Sequence, residues 1–197
     1  MESYKADLLM IASRMLSYPS GKDEEDVRDC VEGLDTLDTI KKIVRNAADS
    51  VYRIPLHDLR EIYVSTFDLK EKAGLYLSAH EFGDSPKRGA ALIKLQKTVN
   101  EAGYERVDDE LADYIPMLYE LVAITNNQIR HTRLISRLAA ATQRIYNHLP
   151  DDSPYYPIFS VLMQYVLDTP SKVELEKLEQ QREKADLEEL PYPIMYN

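Results

Sequence analysis

Over residues 127–149 the apolar side chains return at every third or fourth position, with Leu134, Ile135, Leu138, Ile145 and Leu149 on one stripe, Thr142 among them, and Pro150 next. That spacing draws a line down a 3.6-residue helix; a half-buried strand would instead alternate every second residue. The same period recurs along most of the chain, and no stretch gives a convincing strand pattern. The expectation is an all-α fold.

The segments between the punctuating residues follow the same logic. Leu8, Ile11, Ala12, Met15 and Leu16 share a face, and Tyr18-Pro19-Ser20-Gly21 ends that helix because proline and glycine stop it. Residues 24–31 and 37–52 are more polar and are expected on the surface. Pro55 opens a helix carrying Leu59, Ile62, Tyr63 and Phe67. Ser85 reads as an N-cap with Pro86 as the first helical residue, Leu92, Leu95, Val99 and Ala102 line one face, and Gly103 terminates it. Residues 113–125 form a further helix with Pro116 in its first turn. Ile158, Val161, Leu162, Tyr165 and Val166 follow the loop prolines Pro150, Pro154 and Pro157 as another core helix.

From Ser171 onward the character changes. Residues 172–190 are dense in charge and thin in apolar side chains, and Pro191-Tyr192-Pro193 follows them. The expected organisation is one helical domain over residues 1–170, then a charged surface helix and a mobile C-terminal tail over 171–197. No repeat stands out at solenoid periods, so a single bundle is preferred.

Composition narrows the function. A formal charge of -10 argues against nucleic acid and against anionic membrane surfaces, since binding to either rests on basic patches. It favours a basic partner segment, or simply solubility. No apolar run approaches the roughly 18 residues a membrane helix needs, so the chain is not expected to be an integral membrane protein. Its first residues, with Glu2 and scattered polar side chains, do not form a secretory signal, so a cytoplasmic protein is expected. A single cysteine, Cys30, forbids an internal disulfide and a cysteine-based metal site.

Catalytic signatures are missing. None of His57, His80, His131 and His148 has a glutamate three residues before it, which removes the carboxylate-histidine pairs of di-iron bundles. His80-Glu81 begins like a zincin motif, but Asp84 occupies the place of the second histidine. There is no P-loop, dinucleotide fingerprint or nucleophile elbow. Gly83 and Gly89 flank Asp84-Ser85, which reads better as a loop and cap than as a phosphate site. Neither a catalytic residue, a metal site nor a cofactor is expected.

One stretch stands apart from plain scaffold. Tyr63, Phe67, Asp68, Tyr76, His80, Asp84, Arg88, Asp113, Tyr114 and Glu120 crowd polar and aromatic groups among helical core positions. Singly each has an ordinary structural explanation, such as the i, i+4 packing of Tyr63 on Phe67. Jointly, the run YVSTFDLKEKAGLYLSAHEFGDSPKRGAALIKL at 63–95 and ELADYIPMLYELVA at 110–123 resemble the NarJ family of nitrate reductase assembly chaperones, within the wider TorD and DmsD group. The elements that carry the resemblance are a Tyr-x-x-x-Phe-Asp step, a Leu-Tyr-Leu run before a histidine and a Gly-Asp-Ser turn. Arg88-Gly89 and a Leu-x-Asp-Tyr-x-Pro segment ending in Glu120 complete them. Asp152-Ser153-Pro154-Tyr155 extends the likeness, which spans about 59–166; Ala112 departs from it where the family often has proline.

The resemblance implies a single-domain bundle of roughly eight to ten helices. It implies a chaperone, not an enzyme, that binds the N-terminal segment of the apo alpha (catalytic) subunit of a respiratory nitrate reductase. That subunit would be kept competent for insertion of the molybdenum cofactor, and of an iron-sulfur cluster, before membrane docking. Molybdenum cofactor biosynthesis proteins are further implied partners, and the chaperone would not belong to the finished enzyme. The ten residues named above are the candidates for the groove that holds the peptide. A signal-peptide proofreading chaperone for another molybdoenzyme, a helical enzyme and a plain helical adaptor remain as alternatives.

Overall fold

In the computed structural model, which describes residues 3–104, 110–125, 128–176 and 178, the chain is built from α-helices and short helical turns, with no strand among the described residues. The helices are α1 (Ser3–Leu16), α2 (Asp23–Gly33), α3 (Asp38–Tyr52), α4 (Leu56–Tyr63), α5 (Leu77–Phe82), α6 (Lys87–Glu101), α7 (Ile115–Ile124), α8 (Gln128–His148) and α9 (Tyr156–Val161). Two of them run on into π-turns, α4 into Val64–Asp68 and α9 into Leu162–Val166. Each π-turn closes with a bond five residues back: Leu69 N–H donates to the Val64 carbonyl at 3.1 Å, and Leu167 N–H to Leu162 at 2.8 Å. Most of residues 172–190 and all of the tail lie outside the described residues.

Apolar periodicity becomes packing. α1 lies along α7, with Leu8, Leu9, Ile11, Ala12, Met15 and Leu16 buried, and α7 answers with Ile115, Leu118, Leu121 and Val122. α9 sits between α3 and α8 and buries Ile158, Phe159 and Val161. α3 was expected on the surface. It instead turns Val44, Ala47, Ala48 and Val51 into the core, because small side chains every third or fourth residue let it approach α9 closely. One apolar cluster runs from Leu8 to Leu167. Such burial is the main stabilising term, at about 25 cal/mol per Å² of apolar surface.

α6 follows its sequence signals closely. Ser85 Oγ accepts the Lys87 N–H at 3.3 Å, and Pro86 already has helical dihedrals, although the helix itself begins at Lys87. At the other end Gly103 has φ +82°, its N–H donates to Asn100, and Tyr104 N–H donates to Val99. This paired closure needs a left-handed residue, which glycine supplies without a Cβ clash.

α5 was not expected from the sequence. Its six residues bridge α6 on one side and α8 on the other. Arg137 of α8 reaches Glu81 of α5 through Nε and Nη2, at 2.5 and 2.6 Å, a bidentate clamp between the helices.

Candidate functional site

The residues around α5 are held by an unusual crossing. Leu77 N–H donates to the Asp113 carbonyl at 2.9 Å, and Ile115 N–H donates to the Leu75 carbonyl at 2.8 Å. These two bonds form an isolated antiparallel bridge between Tyr76 and Tyr114. They fix the start of α5 against the start of α7. The Asp113 side chain, fully buried, then caps α5 from outside the helix: its Oδ2 accepts Ser78 N–H at 3.1 Å and Ser78 Oγ–H at 2.5 Å. A carboxylate at a helix N-terminus satisfies orphan N–H groups and meets the positive end of the dipole.

Arg88 closes this cluster. Its Nε donates to Ser78 Oγ at 3.2 Å, and its Nη2 stands 3.9 Å from Asp113 Oδ2. On the far side of α5, His80 is buried, and its Nε2 lies 2.6 Å from the Gly74 carbonyl. A carbonyl only accepts, so Nε2 carries the proton, and Nδ1 is left to accept from Arg144 Nη1 at 3.5 Å. Arg144, also buried, donates to the His80 carbonyl at 3.4 Å. Sequence reading missed Arg144 because an arginine on a long amphipathic helix is ordinarily solvated; its place one turn before His148 carries no signal of burial.

Tyr63 and Tyr114 meet deeper in. Their hydroxyls are 2.9 Å apart, and each lies 3.2 Å from the carbonyl of Leu16 at the C-terminal end of α1. That carbonyl has no partner within its own helix, so the tyrosines supply one. Burial pushes the Tyr114 ionisation up to about 12 and that of Tyr63 further above its ordinary value, so both are neutral donors. Phe67 packs edge-on against Tyr63 and Tyr155, with centroids at 5.0 and 4.8 Å.

Above this cluster opens a cleft of about 370 Å³. Its floor is Phe67, Gly74, Tyr76 and Ala79, and Gly83 closes α5 at one edge with φ 53°. Asp68, Glu71 and Asp84 stand exposed around it, and Arg88 lines it as well. Asp68 and Asp84 make no hydrogen bond or ion pair among the described residues. Tyr76 reaches across to Glu110, its hydroxyl donating at 3.1 Å. The mouth thus presents three carboxylates to one guanidinium over an apolar floor.

Of the ten candidate residues, Phe67, Asp68, Tyr76, Asp84 and Arg88 line this cleft. Asp113, His80, Tyr63 and Tyr114 lie beneath or behind it as buried supports. Glu120 is exposed on α7 and does not line it. A second, shallower groove of about 630 Å³, without a signal in the residue pattern, runs past Tyr18, Leu56, Arg60, Val64 and Leu69, on the other side of the first π-turn. Among the described residues no group of three or more metal-ligating side chains comes together. No helix among them is long and apolar enough to cross a membrane.

No protein-family model matches the sequence. The chain is 28% identical over 105 residues to the probable nitrate reductase molybdenum cofactor assembly chaperone NarJ of Bacillus subtilis (strain 168), a match covering 53% of this chain and 57% of that relative. It is 24% identical over 161 residues to the probable nitrate reductase molybdenum cofactor assembly chaperone NarW of Escherichia coli (strain K12), covering 80% of this chain and 67% of that relative. The aligned part of the chain thus spans between 57% and 67% of the length of these relatives.

Proposed function

We propose that this chain, similar in sequence to two nitrate reductase assembly chaperones, is itself a maturation chaperone and not an enzyme. Its client is the apo alpha subunit of a respiratory nitrate reductase, captured by an N-terminal segment and kept competent for molybdenum cofactor insertion. The observation that carries this reading is the cleft with an apolar floor and an acidic mouth. An amphipathic basic peptide would lay its apolar side chains on Phe67 and Tyr76 and set its cations against Asp68, Glu71 and Asp84. A cleft of about 370 Å³ accepts a few side chains of such a peptide, not a folded domain.

The chaperone role requires release as well as capture. Carboxylates at the mouth are exposed, so their attraction is moderate and the complex stays reversible. Co-expression with tagged apo catalytic subunit tests the reading directly. The expected result is a complex with the apo subunit that is absent with the mature, cofactor-loaded enzyme, and that is lost when the subunit's N-terminal segment is deleted. Equal recovery with both forms would exclude a maturation role. Recovery with a different exported molybdoenzyme, and not with nitrate reductase, would favour a proofreading chaperone for another client.

A further inference from the structure

Arg88 is the one cation among the cleft residues, and an acidic mouth that captures basic peptides does not call for it. Its placement is held from behind. Nε is engaged by Ser78 Oγ at 3.2 Å, while Nη2 stops 3.9 Å from Asp113 Oδ2, short of a hydrogen bond. That same Oδ2 already accepts both the N–H and the hydroxyl of Ser78, and Asp113 Oδ1 has no hydrogen-bond partner among the described residues. An arginine recruited to neutralise a buried carboxylate would be expected to meet both of its oxygens as a fork. Here the guanidinium is offset, with 28% of the side chain exposed, and makes one hydrogen bond among the described residues. Asp84 lines the same cleft but makes no ion pair with it.

A guanidinium has five N–H donors in a rigid plane, and a site that leaves most of them unused toward a cleft is matched by an acceptor with two oxygens or by converging carbonyls. We infer that Arg88 anchors an acceptor group of the bound peptide, with Ser78 and Asp113 acting as positioning residues behind it. This rests on the peptide-capture reading above and adds to it: the captured segment is amphoteric, with cations for Asp68 and Asp84 and an oxygen acceptor for Arg88. The acceptor is either a side-chain carboxylate or the free backbone carbonyls at the C-terminal end of a helical peptide.

The test is titration calorimetry with a synthetic peptide of the catalytic subunit's N-terminal segment, together with variants in which each acidic residue is replaced by its amide. Wild type, Arg88→Gln, Arg88→Lys and Asp113→Asn are compared, with circular dichroism to check each fold. If a side-chain carboxylate is the acceptor, one amide variant binds wild type about tenfold more weakly, the loss of one charge-assisted bond. The same variant then binds Arg88→Gln within about twofold of the parent peptide. Arg88→Lys restores little, since a point charge lacks the fork, and Asp113→Asn weakens the parent peptide more than the amide variant. If Arg88→Gln weakens every peptide by the same factor of about ten, the backbone carbonyls are the acceptor. Arg88→Gln and Arg88→Lys binding all peptides within about twofold of wild type overturns the inference and leaves peptide capture standing. Failure of folded wild type to bind any of the peptides overturns both.

Discussion

Replacing Phe67 by alanine probes whether the aromatic centre beneath the cleft is a structural support. The ring is 3% exposed and contacts Tyr63 and Tyr155 edge-on, with Phe159 at 6.3 Å, so it joins the first π-turn to α9. Truncating a buried phenylalanine costs about 3–5 kcal/mol, transfer and cavity terms together. Each edge-to-face pair contributes about 0.5–1.5 kcal/mol beyond its buried area, and two are lost. The partners are fixed: Tyr63 by its bond to Tyr114, and Tyr155 by its place at the start of α9, so little collapse into the void is expected. The upper half of the range follows, about 4 kcal/mol. For a chain of this size that lowers Tm by about 8–16 °C. Urea unfolding followed by far-ultraviolet ellipticity should show a lower midpoint with the slope unchanged. Phe67→Leu, which refills most of the volume, should lose about 1–1.5 kcal/mol. A loss below about 1 kcal/mol for the alanine variant would show that the ring does not hold the first π-turn to α9.

The tyrosine pair gives a second expectation: Tyr114→Phe leaves Tyr63 to serve the Leu16 carbonyl and costs about 0.5–1.5 kcal/mol, whereas Tyr63→Phe with Tyr114→Phe strands that carbonyl and costs more than the two single changes added. Alkaline titration gives a third. The folded-state ionisation of Tyr114 is raised above that of the unfolded chain, so its contribution to stability is complete below pH about 10 and is lost as pH rises towards about 12. Absorbance at the tyrosinate band should therefore show the buried tyrosines ionising together with unfolding; reversible ionisation of all the tyrosines near pH 10 in the folded protein would contradict it. For binding, Asp68→Lys and Asp84→Lys should weaken peptide capture mainly at low salt, while Glu120→Lys, outside the cleft, should change it by less than about twofold in the same calorimetric titration.

How far the sequence carried depended on the range of the interactions that define each element. α6 and α8 were legible because their caps and stripes are local: Ser85, Pro86 and Gly103 act within a turn of themselves, and Leu134 to Leu149 display the full period. α5 was not, since six residues are too few to show a period and their N-terminus is capped by Asp113, 35 residues away. The π-turn hid in the same way. Tyr63 and Phe67 satisfy the i, i+4 spacing of an α-helix, and nothing in the residue types announces the wider turn that follows.

The candidate cluster was recognisable as a group, but not its division of labour. Tyr63 and Tyr76 are the same residue type within one stretch, yet one bonds a buried carbonyl and the other lies along the cleft floor. That difference is set by the crossing of residues 75–77 with 113–115, a long-range pairing that leaves no periodic mark. Arg144 shows the converse, a charged side chain drawn into the interior by His80 from another helix.

Capture of the client peptide by the cleft is tested most directly by titrating the folded protein with the N-terminal peptide of the nitrate reductase catalytic subunit across a salt series. Attraction to Asp68, Glu71 and Asp84 is screened over about 8 Å at physiological ionic strength, whereas burial against Phe67 and Tyr76 is not weakened by moderate salt. Capture through both terms gives an affinity that falls as salt rises and then levels off without vanishing. A folded protein that shows no binding even at low salt would contradict it.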